Sequence, residues 1–315
     1  MQTDVMHDGG NELAPTDVVI VGGGPAGLTA AIYLARFHLD VVVIDRGGGR
    51  ATLIPKTRNH AGFPDGIAGS ELVDRMRDQA LRYCARIVEG EVTEIVRSED
   101  DFIVRTDRSG FKARAVLLAT GVSNNRPDMD ATVHDAALSQ GLLRYCPVCD
   151  GYEVTDQHVA VIGTGEHGSR EAIFLRSFTS AVSLIAPGGR HDLEEQERRK
   201  LVDAGVTPID GPHGEISIDG TEIVIPVREK VLRFATVYPA LGSRIHSGLA
   251  KPLGVDMSED GCIVVDRHQR TDVPGLYAAG DVVYGLDQIS HAMGEGGVAA
   301  TAIRNDLAER RPLLR

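Results

Sequence analysis

Asp17-Val18-Val19-Ile20-Val21 is an unbroken apolar run, the pattern of a strand buried on both faces of a parallel sheet. Glycines interrupt it from Gly22 to Gly27, and Leu28 to Arg36 then places apolar residues near helical spacing. A second apolar run, Val41-Val42-Val43-Ile44, ends at Asp45, so the stretch reads as one strand–helix–strand unit. The plan recurs: His158-Val159-Ala160-Val161-Ile162, a glycine turn, a helix from about Ser169 to Arg176, and a strand from Ala181 to Ile185. Between the copies the pattern predicts a helix over about Gly69–Arg82 and strands around Gly90–Val96, Phe102–Thr106 and Val116–Ala119. Beyond the second copy it predicts a charge-dense helix over Glu194–Lys200 with a solvated face. Strands at Ile263–Asp266 and Leu276–Ala279 and a closing helix over Gly294–Ala308 complete the reading. Alternating strands and helices make this an α/β protein with parallel sheets.

Composition narrows the function classes. At 315 residues and roughly 150 residues per domain, the chain is long enough for two cores without staples. The 33 Lys+Arg against 45 Asp+Glu give a net charge of −12, which argues against nucleic acid or anionic membrane as a partner. No apolar stretch reaches the length of a membrane span. Residues 1–15 are polar and lack the plan of a signal peptide, so they read as a loose tail. Four cysteines are too few for a disulfide scaffold, and the expected compartment is a reducing cytoplasm. Arg310, Arg311 and Arg315 read as solubilising charges near a helix end.

Gly22-Gly23-Gly24-Pro25-Ala26-Gly27 fits G-x-G-x-x-G directly after a strand and opening a helix. Gly22 allows the tight turn, Gly24 lets a pyrophosphate approach the backbone, and Gly27 lets helix and strand pack closely. The helix start offers unpaired N–H groups to phosphates, and Asp45 stands where a carboxylate binds a ribose hydroxyl. Gly163-Thr164-Gly165-Glu166-His167-Gly168 repeats the fingerprint, with Gly163, Gly165 and Gly168 in the same three places. Here the acid is missing, because the following strand runs into Ala186-Pro187-Gly188-Gly189-Arg190. Arg190 and His191 reach that tip only after a bend. The two readings left open are a nicotinamide-nucleotide site and a retained fold that no longer binds tightly.

Cys146-Pro147-Val148-Cys149-Asp150 is the reactive candidate. Two thiols at this spacing can close a small disulfide ring, and one thiol's pKa is commonly lowered. Exchange needs a thiolate and a proton source for the leaving sulfur, which Asp150 supplies if burial raises its pKa. The rival is half of a zinc site, but Cys84 and Cys262 each stand alone, so there is no second Cys pair and no metal ligand is assigned. Both are expected to be inert, partly buried residues.

In this order the pieces resemble the low-molecular-weight thioredoxin reductases, a branch of the FAD-dependent pyridine nucleotide–disulfide oxidoreductases. The match runs from about Asp17 to Leu307 through the first fingerprint, Ala119-Thr120-Gly121, the Cys pair with Asp, the second fingerprint and Pro274-Gly275-Leu276-Tyr277-Ala278-Ala279-Gly280-Asp281. The resemblance implies two Rossmann-like three-layer domains. A discontinuous FAD domain (16–122 and 243–315) is interrupted by a smaller domain (123–242) that carries the Cys pair. Asp281 is implied at the ribityl chain with Gly280 allowing close approach, and Arg50, Thr52, Asn59 and Gln288 fall at flavin-side positions. Arg50 stands where the family has Gln, and Asp287 where it has Arg. Cys149 is implied to face the flavin, Cys146 to attack the substrate, and Asp150 to be the acid/base.

Two departures bear on function. The family's His-Arg-Arg stretch for NADPH falls on Ala186-Pro187-Gly188, and the smaller domain looks trimmed between Lys200 and Val237. The first reading is therefore a disulfide reductase in which NAD(P)H passes electrons through FAD to the Cys pair and on to a thioredoxin-like protein or small disulfide, without an expected NADPH preference. The linkers near Gly121–Asn125 and Ala240–Arg244 would serve as hinges, and a homodimer is implied by analogy alone. A second reading is a nicotinamide-independent, oxygen-dependent dithiol oxidase. The oxidases of epipolythiodioxopiperazine and dithiolopyrrolone biosynthesis carry Cys-x-x-Cys-His-Gly-Tyr/Trp-Glu, and this chain has Gly151-Tyr152-Glu153 after Asp150. A third is a flavin-bound redox sensor.

Overall fold

The computed structural model describes residues 15–314, so most of the expected tail and Arg315 lie outside the described residues. The chain divides into two compact units, one of residues up to Gly47, Met76–Gly121 and His246 onward, the other of Gly48–Arg75 and Val122–Ile245.

The first unit is built on a mixed sheet. Its order is Arg86–Glu89, Val41–Asp45, Pro15–Val21, Gly110–Leu118, Asp101–Thr106 and Val92–Ser98, with Leu276–Ala278 also pairing Gly110–Leu118. The long strand forks. Its first half pairs antiparallel with Asp101–Thr106 (Phe102↔Ala113), and its second half pairs parallel with Leu276–Ala278 (Val116↔Leu276). The central strands are apolar and buried on both faces, the pattern of a covered parallel sheet. Val18, Ile20, Val41, Val43 and Leu117 pack in one cluster with the small residues Ala26, Ala30, Ala292, Ala299 and Ala300 of helices Pro25–Arg36 and Ile289–Arg310. A Cβ on Gly296 would lie 2.3 Å from the Ala26 carbonyl oxygen, so the two helices touch backbone to backbone there.

The second unit carries a parallel sheet in the order Thr207–Ile209, Val182–Ile185, Val159–Ile162 and Thr236–Pro239. A separate antiparallel sheet of Ser217–Asp219, Glu222–Val227 and Lys230–Phe234 fills the stretch expected to be trimmed. Val122–Asn124 and Ser243–Ile245, in the two linkers, pair antiparallel as Val122↔Ile245. Residues 48–75 group with this unit through contacts such as Arg50 Nη1 to Asn124 Oδ1 at 3.3 Å and Arg58 Nε to Glu153 Oε1 at 3.7 Å.

Several expectations need correction. Ile263–Asp266 makes only isolated bridges at Ile263, because neighbouring backbone extends no further alongside it. The closing helix starts earlier, at Ile289, and a helix at Ala131–Ser139, capped by the Asp130 carboxylate on the Thr132 and Val133 amides, was not expected. Cys84 is exposed rather than partly buried: it sits in a left-handed conformation (φ 67°) just past helix Gly69–Arg82, where the chain turns into the next strand.

Candidate active site

In the first unit the strand Pro15–Val21 feeds straight into the helix that begins at Pro25. Gly22 has φ 110°, and a Cβ there would lie 2.3 Å from the Ala119 carbonyl oxygen. A Cβ on Gly27 would lie 2.0 Å from Gly22 O, so the helix is seated against its own turn. Gly24 is the N-cap, and among the described residues no side chain caps it and nothing lies within 4 Å of the Cβ it lacks. The amides of the helix start therefore face open space, which is what an anionic pyrophosphate needs. Pro25 takes the first helical position, where a missing N–H costs nothing.

Other expected residues gather around this turn. Asp45 lies against it, since a Cβ on Gly23 would be 2.6 Å from the Asp45 Cγ, and its Oδ2 accepts from Arg77 Nη2 at 2.9 Å. Thr120 runs beside Gly22 and donates from Oγ1 to His246 O at 2.7 Å, with Gly121 next at φ 62°. Gly280, at φ 79°, leaves 2.9 Å between its absent Cβ and the Cβ of Ala26, and its N–H donates to Glu295 Oε2 at 2.7 Å. Burial pushes the Glu295 carboxyl above the usual carboxylate range. Asp281 follows Gly280 directly, and Gln288 is the N-cap of the helix whose Gly296 rests on Ala26. Glycines where a side chain would collide, with open space above Gly24, fit the pyrophosphate end of a dinucleotide such as FAD. Arg50, Thr52 and Asn59 belong to the other unit, where Thr52 Oγ1 donates to Gly49 O at 2.7 Å and Asn59 Oδ1 accepts from Thr57 at 3.1 Å.

In the second unit, Cys146 and Cys149 form a disulfide. Cys146 caps the short helix Pro147–Asp150, and the Cys149 amide donates to the Cys146 carbonyl at 2.9 Å and lies 3.2 Å from its Sγ. Gly151 allows the chain to close behind the pair, since a Cβ there would lie 2.5 Å from the Phe178 ring. Val148 and Tyr152 are exposed beside it, at 50% and 80%. Asp150 is largely buried: its Oδ2 accepts from Arg144 Nη1 at 3.0 Å and its Oδ1 from the Tyr238 hydroxyl at 3.1 Å. Burial pushes the Asp150 carboxyl upward, while Arg144 and Tyr238 pull against it. Sequence reasoning missed both partners. Arg144 stands just before the Cys pair, and Tyr238 is a polar-tipped aromatic inside an apolar strand, which is itself a signal for a buried hydrogen bond.

The second fingerprint keeps its shape. The absent Cβ atoms of Gly163 and Gly168 would lie 2.9 Å from Ala240 O and 2.8 Å from Gly163 C. Thr164 Oγ1, in the turn, accepts from the Asp192 amide at 2.8 Å, so the loop after strand Val182–Ile185 is tied to it. Gly165 adopts φ 63° beside that loop, with the Asp192 carbonyl oxygen 3.7 Å from its absent Cβ. His191 is buried and turns inward to Leu184 O at 3.0 Å, while Arg190 is exposed. On the helix, burial pushes Glu171 up to about 7; its Oε1 lies 3.4 Å from His167 Nε2, and its buried Oε2 has no hydrogen-bond partner among the described residues.

Residues 16–296 match the family model described as pyridine nucleotide-disulphide oxidoreductase. A thioredoxin reductase of Listeria monocytogenes is 31% identical over 304 residues, 90% of this chain and 91% of its own length. Among solved structures, thioredoxin reductase from Streptococcus pyogenes superposes with a TM-score of 0.87 at 30% identity, covering 94% of this chain and 99% of its own. The crystal structure of HlmI superposes with a TM-score of 0.86 at 31% identity, covering 98% and 95%. The chain belongs to the pyridine nucleotide-disulphide oxidoreductase family, in its thioredoxin reductase-like, FAD-binding branch.

Proposed function

We propose that this flavin disulfide oxidoreductase draws electrons from a reduced nicotinamide dinucleotide and reduces the disulfide of a thioredoxin-like protein or a small molecule. The observation that carries the reading is the Cys146–Cys149 disulfide followed directly by the half-buried Asp150, whose carboxyl is held by Arg144. Bound FAD supplies the two-electron link between donor and disulfide. Gly22, Gly24, Pro25, Ala26 and Gly27 would hold its pyrophosphate, Asp45 a ribose, and Gly280 and Asp281 the ribityl side.

The chain's own residues then perform the exchange. Once the pair is reduced, the Cys146 thiolate attacks one sulfur of the substrate disulfide. A Cys146–substrate S–S bond forms, the substrate S–S bond breaks, and the departing sulfur takes a proton from Asp150. Cys149 then gives its proton to the Asp150 carboxylate and attacks the Cys146 sulfur as the thiolate; the ring closes, the Cys146–substrate bond breaks, and the second substrate sulfur leaves with that proton as a thiol. Val148 and Tyr152 offer an exposed apolar edge beside the reacting pair. One observation favours a second reading, with electrons entering from a dithiol and leaving to oxygen: the uncharged tip Ala186-Pro187-Gly188 where a nucleotide phosphate clamp is expected.

The test is anaerobic mixing of the yellow protein with NADH or NADPH, followed by turnover on a disulfide. Bleaching by at least one nucleotide and loss of turnover in Cys146→Ser and Cys149→Ser are expected, with FAD retained. No bleaching by either nucleotide, with dithiol-driven oxygen uptake, refutes reduction and selects the reverse flow.

A further inference from the structure

The Asp150 carboxyl is held by a frame that the exchange chemistry has not yet used. Arg144 reaches it from Gly141–Arg144, a segment laid alongside strand Thr236–Pro239. Leu143 bridges to Val237, the Arg144 amide donates to Val237 O at 2.9 Å, and Thr236 Oγ1 donates to Gly141 O at 2.8 Å. Tyr238 reaches Asp150 from that same strand and is itself fully buried. The guanidinium is fixed at a second point, with Nε donating to Gly141 O at 3.0 Å. A Cβ on Gly141, at φ 71°, would lie 2.9 Å from Arg144 Nη2, so a side chain there would displace the arm.

We propose that Arg144 is a positioning residue for the dithiol chemistry, holding Asp150 through its Oδ2 while Tyr238 holds Oδ1, so that this one carboxyl exchanges its proton with the Cys146–Cys149 pair in the working pH range. The proposal rests on the reading of that pair as the redox centre. Three groups face the carboxyl: Arg144 from the preceding segment, Tyr238 from the strand and Glu153 from the turn Gly151–Val154. Burial and Glu153 favour the protonated acid, whereas Arg144 and the Tyr238 hydroxyl favour the carboxylate. Without Arg144 the acid would stay protonated to higher pH, and would take up the thiol proton less readily. A carboxylate beside one arginine ordinarily has its pKa lowered by about 1–3, which sets the size of the change expected when Arg144 is removed.

The experiment uses the full-length flavoprotein with its pair reduced by dithiothreitol, and follows the rate of iodoacetamide alkylation at Cys146 against pH. No donor nucleotide or protein substrate is needed. In the parent protein the profile should show a limb that Asp150→Asn removes. Arg144→Met should move that limb to higher pH by about one unit or more. Arg144→Lys should bring it most of the way back, and Tyr238→Phe should move it upward by less. In the Asp150→Asn background, Arg144→Met should add no shift. The melting temperature of each variant is recorded beside its profile, and Arg144→Lys serves as the folded reference. Superimposable profiles for Arg144→Met and the parent overturn the proposal. So does a shift that persists without the Asp150 carboxyl, which would place the arginine's effect on the sulfur directly. Failure of the pair to be reduced, or full turnover in Cys146→Ser, sinks the underlying functional reading instead.

Discussion

Two glycines in one helix, two positions apart, should respond to alanine in opposite directions. Both lie in Ile289–Arg310, where replacing Gly by Ala in an unconstrained helical position is worth about 0.8–1.0 kcal/mol of stability. Gly294 is exposed, with nothing among the described residues within 4 Å of its absent Cβ, so Gly294→Ala should gain close to that amount. At Gly296 the same methyl would sit 2.3 Å from the Ala26 carbonyl oxygen, 3.1 Å from its carbon and 3.2 Å from its Cα. None of these is the movable end of a side chain. The helices must separate, and inserting a methylene into a packed interface costs about 1–3 kcal/mol. The clash should outweigh the propensity gain, leaving Gly296→Ala less stable by up to about 2 kcal/mol. Ala26 also lies in the turn proposed above to hold the FAD pyrophosphate, so flavin should be released at lower temperature. Thermal melts followed by flavin fluorescence read both effects, at about 2–4 °C per kcal/mol. A Gly296→Ala protein as stable as its parent, and as tight for flavin, would falsify the backbone contact between these helices.

The other predictions concern charge. The Glu171 carboxyl is raised to about 7 by burial, so the folded protein keeps its proton while the unfolded chain loses it above about 4.5. Stability therefore falls as pH rises from about 4.5 to about 7, by up to about 3 kcal/mol. Glu171→Gln should flatten this slope and stabilise the protein more at pH 8 than at pH 5; equal effects at both would refute it. Because Ala186, Pro187 and Gly188 carry no charge, NADH and NADPH should reduce the flavin at concentrations within about tenfold of each other, the weight of a single good charged contact. A hundredfold preference for NADPH in an anaerobic titration would mean a cation reaches the phosphate from elsewhere.

How much was legible in the sequence depended on how local each signal was. The fingerprints at Gly22–Gly27 and Gly163–Gly168 and the apolar strands before them are written in consecutive residues, and the structure builds strand, turn and helix at both. The antiparallel sheet over Ser217–Phe234 carried a readable cue in Asp219-Gly220 between alternating runs, with Gly220 at φ 62°. Against a longer family domain the same stretch reads as a deletion, which hides that cue. Ile263–Asp266 is a β-branched run, but a strand needs a continuous partner and only Ile263 finds one. The environment of Asp150 was the least accessible. The role of Asp150 was conditional on burial, and its partner Tyr238 lies 88 positions away and reaches it only because Gly141–Arg144 and Thr236–Pro239 run side by side.

The ladder between Val122–Asn124 and Ser243–Ile245 has a bearing on ancestry and engineering. The polypeptide departs at Val122 and comes back at Ile245, directly across one rung, so the intervening stretch is a detour whose two ends are stitched together. Such a detour can lengthen, shorten or be exchanged for another without disturbing the sheet it interrupts, much as a cartridge is swapped at a fixed socket. A graft at this rung would have to keep partners for residues 48–75, because Arg50 and Arg58 reach into the detour at Asn124 and Glu153.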